Sequence, residues 1–95
     1  MVLSMDEIIN AICLHTADRT GVRLSEVQVE LSWDEDTGYT GEVWVNGRSR
    51  YLVESNIMEA IMQYVHKEYG MRVFREDITL ELDEEIIAVI REEGY

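Results

Sequence analysis

Laid over itself at a constant offset of 49 residues, the chain matches at eight of 29 positions between residues 8–36 and 57–85. The identities are Ile8/Ile57, Ala11/Ala60, Ile12/Ile61, Gly21/Gly70, Arg23/Arg72, Leu31/Leu80, Asp34/Asp83 and Glu35/Glu84. Their outline is I-x-x-A-I, then G-[VM]-R, then L-x-x-D-E-[DE]. A repeat of this length constrains the architecture more than any single element does, because each unit must bury its apolar face against the other.

Each unit reads as a helix followed by strands. Ser4 with Glu7 fits a capping box, and Ile8, Ile9, Ile12 and Thr16 recur at helical spacing, so a helix is expected over about 5–19. Gly21 ends it. In "EVQVELSW" Val27, Val29, Leu31 and Trp33 alternate with polar residues, the mark of a half-buried strand. "DEDTG" reads as a turn, and Asn46-Gly47 as a hairpin between strands at 40–45 and 49–53. Asn56 with Glu59 makes a second capping box. Ile57, Ala60, Ile61, Tyr64 and Val65 then mark a second helix ending near Gly70. Ile78, Leu80 and Leu82 alternate again. "EEIIAVIREE" fits either helix or strand. The repeat decides for strand over Ile86–Ile90, with Asp83-Glu84-Glu85 as the turn, because the first D-E-D is also followed by a strand.

The order α-β-β-β-α-β-β predicts an α+β fold: a two-layer sandwich in which an antiparallel sheet carries both helices on one face. The repeat implies an internal αββ duplication, with units of about 5–45 and 54–91 inside a single domain, residues 1–95.

The hairpin allows two registers. A two-residue turn sets Val45 opposite Arg48 and Val43 opposite Arg50. A three-residue loop sets Trp44 opposite Arg48 and Glu42 opposite Arg50. The second separates charge from core more cleanly and is favoured on that ground. It would place Trp44, Arg48 and Arg50 on one exposed face, able to grip a carboxylate, a phosphate or a partner's acidic side chain. The same trio can equally form only a cross-strand ion pair and a cation–π pair.

Twenty acidic residues against eight basic ones give a net charge of −12. That disfavours nucleic acid and anionic membranes, and leaves basic partners and cations open. Residues 5–69 share the element order of a double-stranded RNA-binding domain. The start of the second helix reads Ser55-Asn56-Ile57-Met58-Glu59, where such a domain needs lysines, so RNA binding is not expected. No apolar run approaches the ~18 residues of a membrane span, and the N-terminus does not read as a signal peptide. The single cysteine, Cys13, suits a reducing cytoplasm.

No catalytic constellation appears. The serines lie in cap, strand or turn contexts, and nucleotide-binding glycine motifs are missing. Cys13 and His15 point roughly 200° apart on a helix and cannot share an ion. "DEDTG" starts like a calcium loop but lacks its later ligands. No metal or cofactor is expected. Met58, Met62 and Met71 read as core rather than as an adaptable binding surface.

"DEIINAICLH", "WDEDTGYTGEVWVNGR" and "EAIMQYVHKEYGMRVF" together resemble the YxcD-like family, small uncharacterised proteins of Bacillus-type bacteria. The resemblance covers nearly the whole chain and carries no catalytic motif, so no functional residue transfers. It implies a stand-alone bacterial cytoplasmic protein. The function expected is a non-enzymatic binding or protein-interaction module, acting through the hairpin face or a sheet edge, as a homodimer or with a transient protein partner. The alternative is a small-ligand binder or enzyme with a pocket between helices and sheet.

Overall fold

The computed structural model describes residues 1–91. Its elements are β1 (Val2–Leu3), α1 (Met5–Thr20), β2 (Val27–Asp34), β3 (Gly38–Val45), β4 (Arg48–Leu52), α2 (Glu54–Tyr69), β5 (Ile78–Leu82) and β6 (Ile86–Ile90). Short 3₁₀ turns at Leu24–Glu26 and Arg75–Asp77 precede β2 and β5. The α+β class is as expected, and so is the strand at Ile86–Ile90. Glu92 and Glu93, the end of the ambiguous segment, lie outside the described residues.

Local chemistry sets the helix ends. The Glu7 amide donates to Ser4 Oγ at 3.2 Å, which caps α1. Both helices stop at a glycine in the left-handed region, Gly21 at φ 74° and Gly70 at φ 66°, where a side chain would be strained. The second start differs from the expected capping box. Helix α2 begins at Glu54, and Asn56 sits inside it, with its Oδ1 accepting from the Val53 amide at 3.1 Å.

The strands form two three-stranded antiparallel sheets, ordered β1-β6-β5 and β2-β3-β4, rather than one continuous sheet. The reason is β1. Val2 pairs with Val89 and Leu3 with Ala88, and the Ile90 amide donates to the Met1 carbonyl at 2.8 Å. That edge of β6 is therefore taken at residues 88–90. Helix α1 packs against strands of both sheets, and α2 packs against α1, β3 and β4. The molecule is 20 Å across its thinnest dimension, which fits one helix layer on one strand layer about 10 Å away.

The core lies between these layers. Ile8, Ala11, Ile12 and Thr16 of α1 are buried, as are Ile57, Ala60, Ile61 and Val65 of α2, each 49 residues on. The offset holds through the glycines and then becomes 51. Val27 opens β2 and Ile78 opens β5, because two extra residues precede the second strand. An insertion of two keeps the in–out alternation of a strand, so the buried parity survives the shift. Leu31 and Leu80 therefore match in sequence without matching in place. Met58 is buried, and Met62 and Met71 pack against the core.

The two 3₁₀ turns share a device at offset 51. The Arg23 amide donates to Glu26 Oε2 at 2.9 Å, and the Phe74 amide to Asp77 Oδ2 at 3.0 Å. Glu26 is exposed, whereas Asp77 is buried and also accepts from the Arg91 guanidinium at 3.0 Å. Asp77 thus ties the start of β5 to the residue after β6. The Phe74 amide, then Arg91, holds its carboxyl below the ordinary value of 3.8. A depressed carboxyl contributes stability in full above that ordinary value and loses it as pH falls through the folded one. Urea unfolding across the acid range should show wild type losing more stability than Asp77→Asn. Superimposable acid limbs would contradict this role for Asp77.

Candidate functional site

The Asn46-Gly47 loop has two residues, both left-handed at φ 52° and 78°, as a type I′ turn requires. Val45 faces Arg48, Trp44 faces Ser49, Val43 faces Arg50, Glu42 faces Tyr51 and Gly41 faces Leu52. This corrects the favoured three-residue register. Cross-strand partners share a face, so Arg48 and Arg50 lie on the side of Val43, Val45 and Leu52, turned toward the helices. Trp44 lies on the opposite side with Tyr51. The expected trio of Trp44, Arg48 and Arg50 is divided between two faces.

Burial decides the register. Leu52 is 6% exposed and joins the core, while Tyr51 at 76% and Val53 at 57% point away from it. Strand β4 is the edge of its sheet. An arginine turned inward there keeps its guanidinium in water by reaching past the core. Sorting charge from core therefore does not require the arginines to face outward.

The outer face of β2-β3-β4 has no helix over it among the described residues. Its central positions are Gln28, Glu30, Glu42, Trp44, Ser49 and Tyr51. Glu30 stands directly opposite Glu42, and Tyr51 flanks Glu42 on the other side. Two like charges directly across a ladder disfavour it by roughly 0.2–1 kcal/mol. Tyr39 lies on the inward side of the same sheet, in alternation with Gly41 and Val43. Burial, with Glu54 and Glu81 adding to it, pushes the Tyr39 hydroxyl above its ordinary 10.

On the inner side, a pocket of about 180 Å³ opens where β4 meets the helices, lined by His15, Thr16, Arg19, Arg50 and Asn56 among others. A larger groove of about 320 Å³ runs between α1 and α2, lined by Leu14, His15, Leu24, Tyr64 and Lys67 among others. His15 and Ala60 border both. The antiparallel helices are linked across this region by side-chain contacts, among them a 3.5 Å hydrogen bond from the Tyr64 hydroxyl to Glu7 Oε2. Arg19 approaches Glu59 at 4.0 Å, and His15 Nδ1 lies 2.9 Å from Gln63 Oε1. The Tyr69 hydroxyl donates to Glu7 Oε2 at 2.8 Å, with the Tyr64 ring edge-on to it at 6.1 Å.

Cys13 is half-buried, and burial pushes its thiol above the ordinary value, which suits a packing residue rather than a nucleophile. Among the described residues no group of three histidine, cysteine or carboxylate side chains could hold a metal ion. None of their helices is long and apolar enough to cross a membrane. Arg19, His15 and Asn56 escaped the sequence reading as companions of Arg50. They lie on two helices, and only the register of β4 brings Arg50 to them.

The Tyr69 hydroxyl, hydrogen-bonded to Glu7, is pushed up to about 12. A raised hydroxyl contributes stability fully below the ordinary value of 10 and loses it as pH climbs through about 12. Chemical unfolding on the alkaline side should therefore show wild type more stable than Tyr69→Phe below that window, with the gap closing across it. A gap that persists above pH 12 would count against the Tyr69–Glu7 bond.

Comparison with known proteins places the chain beside others without assigned roles. A family model described as a protein of unknown function (DUF2653) matches residues 1–85. The uncharacterized protein YxcD of Bacillus subtilis (strain 168) is 26% identical over 81 residues, which span 84% of this chain and 76% of that protein. No solved structure matches.

Proposed function

The chain belongs to the DUF2653 family of unknown function, and from that premise we propose that it is a non-enzymatic protein-interaction module. It docks a basic segment of a partner protein on the outer face of β2-β3-β4. The observation that carries this reading is the Glu30–Glu42 opposition beside Trp44 and Tyr51. A lysine or arginine seated there would relieve the like-charge pair and stack on an aromatic ring. The net charge of −12 would speed encounter with such a partner.

A second copy of the chain suits this face less well. A two-fold dimer brings the same patch against itself, and here that would set four glutamates together. A transient heterologous partner fits the charge better.

Selection of displayed peptides on the purified protein should enrich lysine- and arginine-containing sequences whose binding weakens with salt. Glu42→Lys and Trp44→Ala should each reduce binding about tenfold or more, the scale of an interface hot spot. Arg75→Ala, on a remote turn, should leave it unchanged. Enrichment without basic residues, or binding indifferent to Glu42 and Trp44, would overturn the reading.

A further inference from the structure

The geometry points to a second site of opposite character: the pocket between β4, α1 and α2 binds a small oxyanion, a carboxylate or phosphate group, through Arg19 and Arg50. Only eight of the 95 residues are lysine or arginine. Two of them, with His15 and Asn56, line one opening of about 180 Å³. That is room for a group the size of about six waters.

Their placement is not explained by ion pairing. Arg50 has no carboxylate partner among the described residues, although acidic residues outnumber basic ones by twenty to eight. Arg19 meets only Glu59, at a long 4.0 Å, with both side chains about half exposed. Such a pair contributes little and yields readily to a better acceptor. Guanidinium groups present a planar fork that matches two oxygens of a carboxylate or phosphate. Asn56 adds a neutral amide donor. His15 Nδ1 lies 2.9 Å from the Gln63 side-chain oxygen, which holds the ring at the mouth of the opening.

The site shares one lining residue, Tyr51, with the outer face, and neither of its two arginines lies there. It is reached from the other side of the same strand, because β4 alternates Arg48, Arg50 and Leu52 inward with Ser49 and Tyr51 outward. The anion is also of opposite charge to the basic segment proposed for the outer face, so one can fail without the other.

The test is an NMR titration of the arginine Nε–H resonances with inorganic phosphate and, separately, acetate, each against chloride at matched ionic strength. Saturable shifts at Arg19 and Arg50, with Arg75 unmoved, are expected. Arg50→Ala should weaken them about tenfold or more. Arg50 is exposed, so that variant keeps its core. Arg50→Lys should restore binding only in part, since an ammonium lacks the fork. Saturation by phosphate alone, by acetate alone or by both assigns the class of oxyanion. Shifts that chloride reproduces, or that survive Arg50→Ala, overturn the site.

Discussion

The two-residue turn at Asn46-Gly47 governs which side chains this protein shows to which surroundings. Both residues adopt positive φ, a conformation that follows the right-handed twist of the strands it joins. Once the turn has two residues, every pair of β3 and β4 is fixed, and a slip of one would invert β4 entirely. Leu52 would leave the core, and Tyr51 would enter in its place. The turn thus acts through packing as much as through its own backbone preference.

From that register follows a separation of charge. The inward side of β4 brings Arg50 to Arg19 and His15. The outward side leaves Trp44 and Tyr51 among glutamates. A single strand thus serves a basic pocket and an acidic face. Strand β4 can do this because it is an edge. In a central strand, inward arginines would be desolvated on both sides at a cost of several kcal/mol each. At the edge their stems cover apolar surface and their heads stay wet.

Much of this was legible in the residues. Capping chemistry at Ser4 and the glycines at 21 and 70 placed both helix ends closely, because local hydrogen bonds and positive φ leave a clear mark. The offset between the halves assigned Ile86–Ile90 as a strand where periodicity alone was ambiguous. Beyond the start of α2, three features were not legible, each for a non-local reason. Strand β1 has two residues, too few for any period, and it exists because β6, at the other end of the chain, offers an edge. The two-residue insertion before β5 hides behind preserved parity. The hairpin register turned on whether Leu52 or Tyr51 fills the core, a matter of tertiary packing that a rule about charge sorting could not weigh.

The register itself is the most direct thing to measure. In a two-residue hairpin the closing pair, Val45 and Arg48, is hydrogen-bonded, so Trp44 and Ser49 form the next, non-hydrogen-bonded pair, with Cα atoms about 4.5 Å apart. Their Hα atoms then lie close enough for a strong nuclear Overhauser effect, and those of Glu42 and Tyr51 likewise. Proton NMR should show both cross-peaks. Cross-peaks that instead pair Trp44 with Arg48 would invert β4, return the arginines to the face of Trp44, and contradict the separation of charge on which both sites rest.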